Sequence, residues 1–280
     1  MIIWLASYPK SGNTLLRSLL ATYFYSSDGN FNFNYLYKIK QFPALENFEG
    51  LNIDLSNNKE VFNNFINAQN KINLQDKNLK FFKTHSGLVK VAETNFTDLK
   101  NTLGAIYVVR DPRNVVTSFA HHYGVSVDDA ATAMIDKVRF LEPTPSTPKT
   151  FLGSWDIHYN SWKQLELNKK LLLIKYEDLI SKKKTILIRI LKFLNELGVT
   201  NLDIDIIKLN KVIKSTDFQK MKDLEQKHSF QESMTDNKTG KKIPFFNLGP
   251  NNDWRKVLDF KIRDKIENSF RNEMEELNYL

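Results

Sequence analysis

The chain opens Met1-Ile2-Ile3-Trp4-Leu5-Ala6-Ser7-Tyr8-Pro9-Lys10-Ser11-Gly12-Asn13-Thr14-Leu15-Leu16. Met1–Tyr8 is short and apolar, the pattern of a buried strand. Pro9–Thr14 turns the chain, and Thr14–Tyr25 then sets Leu15, Leu16, Leu19 and Leu20 on one side of a helix. A strand running through a glycine-containing turn into a helix is a phosphate-binding geometry. Consecutive backbone N–H groups wrap the anion, and the helix dipole adds to the attraction. Gly12 lets the backbone come close to such a ligand. Lys10 can put positive charge on the oxygen that links a phosphate to a departing group. The spacing is not that of Walker A, G-x-x-x-x-G-K-[ST], because Lys10 precedes the only glycine of the turn.

Outward from this stretch, strands and helices alternate. Leu79–Lys83, Ala105–Arg110 and Leu171–Lys175 read as short strands. Asn114–Tyr123, Ser154–Leu167, Ile186–Leu197 and Phe260–Leu277 read as helices. This order predicts an α/β fold, a central parallel sheet flanked by helices on both faces. Ligands in such sheets gather at the carboxyl ends of the strands. Residues 28–78, 123–152 and 225–248 are the least patterned. One domain is expected over 1–280, with an irregular or helical insertion at about 28–78 on the acceptor side and a capping loop at about 225–255.

Composition narrows the chemistry. With 41% hydrophobic and 26% charged residues the chain is neither disordered nor fibrous. It has no cysteine, which excludes disulfides, zinc–thiolate sites and cysteine nucleophiles. The formal charge of +8 favours anionic partners, although abundant Lys, Asn and Ile together also suit an AT-rich coding bias. No apolar run reaches the roughly 18 residues of a spanning helix. Pro9 and Lys10 interrupt the first apolar run at once, so no signal peptide is expected and a cytoplasmic location is.

Two further segments carry chemistry. In Phe81-Phe82-Lys83-Thr84-His85, a histidine sits just past a strand end. Its ordinary pKa of roughly 6.5 suits general-base work and predicts an ascending limb near that value in a pH–rate profile. In Val109-Arg110-Asp111-Pro112-Arg113, Arg110 ends a strand, and Ser118 lies two turns into the following helix. Arginine suits bidentate contact with phosphate. Taken singly, His85 reads as a structural histidine and Arg110–Asp111 as a surface pair. His121 and His122 are adjacent on a helix, face different directions and read as structural.

Together these segments resemble the PAPS-dependent sulfotransferases, including their soluble cytosolic type. Tyr8–Leu15 resembles that family's 5′-phosphosulfate loop, and Val109–Ser118 its 3′-phosphate segment. Lys83-Thr84-His85 resembles the strand end with the catalytic histidine. Gly153-Ser154-Trp155, followed by His158 and Trp162, resembles the helix before the fourth strand. Leu173–Leu179, with Tyr176-Glu177-Asp178, Thr216–Lys222, and Gly249–Trp254 continue the series in order. The resemblance implies a P-loop NTPase-like sulfotransferase fold and in-line sulfuryl transfer from PAPS, leaving PAP, with no metal. His85 would take the acceptor proton, Lys10 would stabilise the departing oxygen, and Lys83 would support the sulfuryl oxygens. Ser118, with Arg110, would hold the 3′-phosphate and restrain Lys10. Ser11, Gly12, Asn13, Thr14, Leu15, Thr216 and Gly249 would line the nucleotide, while Tyr176 and Phe218 would meet the adenine.

Two departures stand out. Leu15 replaces a tryptophan often found after the loop, and Asn247-Leu248-Gly249 replaces Arg-Lys-Gly. Arg113, Arg255 and Lys256 are the candidates to supply the missing charge. The acceptor is left as a small molecule, glycan or lipid carrying a hydroxyl or amine, with nucleic acid not expected. A P-loop kinase and a non-enzymatic anion-binding or nucleic-acid-binding module are the rival readings. Magnesium-dependent ATP turnover would mark the first. DNA binding without sulfuryl transfer would mark the second.

Overall fold

Ile2–Ser7 forms the central strand, β1, and all of its residues are buried. The structure, a computed structural model, describes residues 1–75, 79–199, 203–228, 230–235 and 239–280. Four strands join β1: Lys40–Gln41 (β2), Lys80–Thr84 (β3), Thr102–Val109 (β4) and Leu171–Lys175 (β5). All pairings are parallel, in the order β2-β3-β1-β4-β5. Side chains of β1 alternate between faces, as a strand requires. Ile2, Trp4 and Ala6 enter one apolar cluster, and Ile3 and Leu5 enter the other. That two-sided burial explains why β1 reads as a continuous apolar run.

The expected parallel sheet flanked by helices is the architecture found. The edge strand β2 was not foreseen, because Lys40–Gln41 lies inside the polar stretch 28–78 and is only two residues long. The same stretch supplies a helix at Phe65–Gln75. The expected Phe260–Leu277 helix is two helices, Phe260–Ser269 and Arg271–Glu276. They break at Phe270, whose ring is buried 5.2 Å from that of Trp155.

Three further helices position the site. Asn13–Tyr25 (α1) follows β1 and has no side-chain cap at its N-terminus. Pro112–Tyr123 (α2) follows β4; Asp111 accepts from the Arg113 backbone N–H and Pro112 fills the first turn, both ordinary start signals. Phe218–His228 (α3) runs further than the sequence indicated, into the polar stretch from 225.

Carboxylates hold that stretch in place. Glu225 accepts from the backbone N–H groups of Phe245 and Phe246 at 2.7 and 2.9 Å. Glu232 reaches down to α1 and β3. Its carboxylate accepts from Arg17 Nη1 at 2.5 Å, Lys83 Nζ at 3.2 Å and Thr14 Oγ1 at 3.0 Å. Arg17 and Lys83 are buried, so Glu232 compensates charges that could not otherwise sit there.

Glu232→Ala should therefore lower the melting temperature and speed proteolysis within 225–250. Removing one partner of a buried pair costs about 3 kcal/mol. The cations of Lys83 and Arg17 hold the Glu232 carboxyl well below its usual value of 4.5, against the opposing effect of burial. Its contribution is thus complete above pH 4.5 and lost only as pH falls through the lowered folded value. Thermal melts of both proteins from pH 8 to 3 should show a constant gap down to about pH 5 that closes in stronger acid. A gap that closes near neutrality would contradict this assignment.

Candidate active site

A cavity of about 910 Å³ opens where β1, β3, β4 and β5 end. It is lined by Lys10, Gly12, Asn13, Thr14, Leu15, Lys83, His85, Arg110, Ser118, Tyr176, Phe218 and Gly249. These residues span most of the chain. Parallel pairing alone brings the strand ends together, since Ala6 stands opposite Thr84 and Ser7 opposite Val108. Ser11 and Thr216 do not line the cavity. Ser11 is fully buried and its hydroxyl has no partner, while Thr216 is buried and donates to the Val212 carbonyl at 2.7 Å.

The turn after β1 is conformationally unusual. Lys10 has φ of 66° and Gly12 has φ of 108°. A left-handed lysine costs of order 1–2 kcal/mol, and such strain concentrates at functional sites. Gly12 is required twice over: a Cβ there would lie 2.5 Å from the Tyr176 ring. The Tyr176 ring in turn carries the Arg110 guanidinium at 4.3 Å, and Arg110 donates to the Lys10 carbonyl at 3.0 Å. Loop, strand end and Tyr176 thus form one stack. Gly249 is held similarly, since a Cβ there would lie 2.1 Å from the Phe218 ring.

The stack presents positive charge with few internal partners. Lys10 has its ammonium 3.7 Å over the Phe245 ring, and Arg110 Nε is buried without a hydrogen bond. Burial lowers the Lys10 pKa to about 7; Glu232 opposes this, and Arg110 and Lys83 add to it. Together with the uncapped first turn of α1, these groups fit a bound phosphate or sulfate ester.

The geometry also fixes the state of His85. Its Nδ1 lies 2.7 Å from the Ser7 carbonyl oxygen, which only accepts, so Nδ1 carries the hydrogen. Nε2 is left with a free lone pair. Burial first, then the nearby Lys83 charge, lowers its pKa to about 3. The ascending limb near 6.5 expected from an unperturbed histidine is therefore corrected: the imidazole is neutral throughout the working range. His158 is arranged the other way. Its Nε2 donates to the His85 carbonyl at 3.2 Å, and its Nδ1 accepts from Tyr107 Oη at 2.8 Å. Both nitrogens are occupied, so His158 holds the backbone of His85.

Several sequence expectations change. His121 and His122 both line the cavity, with His121 Nε2 3.2 Å from the Pro244 carbonyl and His122 edge-on to Phe245. Adjacent helical residues can share one cavity because Pro244, Phe245 and Asn252 pack against α2. Arg113 is not a spare cation. It pairs with Asp111 and Glu267 at 2.8 and 2.7 Å and packs on Trp254. Arg255 is turned outward and pairs with Asp253, and Lys256 approaches the same carboxylate. Lys183 lines the cavity beside Asp217 and Phe218 and was not anticipated; burial lowers its pKa. Glu232 was also missed. It is one of four carboxylates between 217 and 232, and no local pattern separates it from Asp217, Asp223 or Glu225.

A family model for the sulfotransferase domain matches residues 2–278. Sulfotransferase 1 family member D1 of Mus musculus is 25% identical over 285 residues, covering 98% of this chain and 83% of that one. Its counterpart in Rattus norvegicus is 23% identical, with the same coverage. Among solved structures, a mouse sulfotransferase complexed with PAP superposes with a TM-score of 0.58 at 19% identity, covering 98% of this chain and 84% of that one. Retinol dehydratase in complex with androsterone and inactive cofactor PAP gives 0.62 at 16% identity, covering 98% and 80%. Those two likenesses concern the fold. No helix among the described residues is long and apolar enough to cross a membrane. With a family match over nearly its whole length and this site at the strand ends, the chain belongs to the sulfotransferase domain family.

Proposed function

We propose that this sulfotransferase moves a sulfuryl group from PAPS to a hydroxyl or amine of a small-molecule, glycan or lipid acceptor, by in-line displacement. One observation carries the reading. A single cavity joins the uncapped α1 turn, two cations that lack carboxylate partners among the described residues, Lys10 and Arg110, and a histidine whose Nε2 is free there. PAP in the solved sulfotransferase and retinol dehydratase structures supports the donor.

The residues divide the work. The α1 N-terminus with Gly12, Asn13 and Thr14 cradles the 5′-phosphate. Arg110 and Ser118 hold the 3′-phosphate, while Tyr176 and Phe218 flank the base. His85 Nε2 accepts the acceptor proton as the new oxygen–sulfur or nitrogen–sulfur bond forms. The bond from sulfur to the 5′-phosphate oxygen breaks, and Lys10 neutralises or protonates that oxygen. Lys83 faces the transferring group. Labelled sulfate carried from PAPS to an acceptor panel tests the whole reading. PAP should bind at least about 100-fold more tightly than AMP, because the 3′-phosphate contacts are charge-assisted. Equal affinities would remove the donor assignment.

Lys10 and His85 give separate tests. With a pKa of about 7, Lys10 is mostly neutral at pH 8 in the free protein. A bound phosphate raises that pKa, so PAP binding at pH 8 should take up a proton. Calorimetry in two buffers of different ionisation enthalpy measures it, and Lys10→Ala should abolish it. A binding heat independent of buffer would exclude this role. His85→Ala should keep PAP affinity while slowing transfer about 100-fold or more. The wild-type rate should show no histidine limb between pH 5 and 8, since the His85 pKa of about 3 lies below that window. Near-normal transfer by the alanine variant would move the base elsewhere.

A further inference from the structure

Arg139 lines the same cavity from the stretch between α2 and Trp155. Its Nε is buried without a hydrogen-bond partner, and among the described residues its guanidinium has no carboxylate in ion-pair range. Its neighbours are aromatic. The Phe119 ring lies 5.8 Å away, and Arg139 opposes the upward pKa shift that burial gives Tyr8 and Tyr123. The lining that continues from it mixes apolar Phe140, Leu141, Pro143 and Pro148 with hydroxyl residues such as Thr144 and Thr147, and Phe42 and Pro43 add further apolar surface.

Among the described residues three carboxylates line this cavity, and Asp217 among them accepts from the Gln219 backbone N–H and lies near Lys183. Glu232 is bound by Arg17, Lys83 and Thr14. Glu142 is largely exposed and lies 3.6 Å from Lys149. The other cations of the cavity offer an internal comparison. Lys10 and Arg110, assigned above to an anionic nucleotide, also lack carboxylate partners among the described residues, whereas Lys83 has Glu232. Arg139 as a whole is half-buried, but its enclosed Nε–H is a donor that costs free energy unless a ligand completes it. The planar fork of arginine matches a carboxylate through two parallel N–H bonds.

We infer that Arg139 selects an acceptor that bears a carboxylate in addition to the hydroxyl that receives sulfate: a hydroxy acid with an apolar body. The inference rests on the sulfotransferase reading and names the substrate class of that site. The apolar walls take the body, Arg139 takes the carboxylate, and the hydroxyl is directed to His85. Sulfuryl transfer is unchanged in its balance: the acceptor oxygen gains sulfur, His85 takes its proton, and PAP leaves.

The test uses the full chain saturated with PAP, then with PAPS. The panel is a graded set of phenolic and aliphatic hydroxy acids, each paired with its methyl ester. The wild type should favour at least one acid over its ester by about tenfold or more in binding and in KM, the scale of a charge-assisted hydrogen bond. Arg139→Leu should abolish that preference, read as the acid-to-ester ratio, while leaving PAP affinity unchanged. Arg139→Lys should retain part of it, and guards against a packing defect in the leucine variant. Esters equal to or better than acids, an acid preference that survives Arg139→Leu, or a panel in which no acid binds would each overturn the inference. Absence of PAP binding would instead strike the donor reading on which it rests.

Discussion

Parallel pairing of Ile2–Ser7 between Lys80–Thr84 and Thr102–Val109 is the constraint on which the site depends. It ends three strands side by side, so Lys10, His85 and Arg110 meet although they are far apart in sequence. The pairing also reaches into the chemistry. The carbonyl of Ser7, the last residue of the central strand, accepts the Nδ1–H of His85. A slip by one residue would turn every side chain of that strand to the opposite face and withdraw the carbonyl. Register, tautomer and the orientation of the free nitrogen are therefore one structural decision.

The second theme is unequal treatment of buried charge. Arg113 is enclosed by Asp111, Glu267 and a tryptophan face, and it serves packing. Arg17 and Lys83 share Glu232. Among the described residues Lys10, Arg110 and Arg139 have no such partner. Burial lowers the Lys10 pKa although the Glu232 and Glu225 charges oppose it. The inequality holds even within one cavity, where Lys83 is paired with Glu232 and Lys10 lies over an aromatic ring.

How much of this was legible in the sequence depended on range. The first strand, turn and helix were readable because apolar run, glycine and leucine stripe are local signals. The other strand ends carrying His85 and Arg110 were readable for the same reason. Glu232 was not, since its importance comes from contacts with Thr14, Arg17 and Lys83, all distant in sequence. Arg113 looked available because nothing nearby announces Glu267 or Trp254. The fully bonded state of His158 was hidden likewise, as it depends on Tyr107 and on the His85 backbone. Lys40–Gln41 was lost because a two-residue edge strand has no period to detect.

The carboxylate attachments of the 225–250 stretch have a consequence for how the molecule breathes. One wall of the cavity is built from backbone ladders, whose amides are protected unless the sheet opens. The opposite wall is tied by Glu225 to two amides and by Glu232 to two cations and a hydroxyl. Aromatic packing adds to those ties, since Phe230 and Phe246 are buried against Phe33. Hydrogen exchange at Phe245 and Phe246, compared with exchange along Ile2–Ser7, would separate release of this wall from opening of the sheet. The two walls are thus held by different kinds of interaction, a parallel ladder on one side and carboxylate ties with aromatic packing on the other.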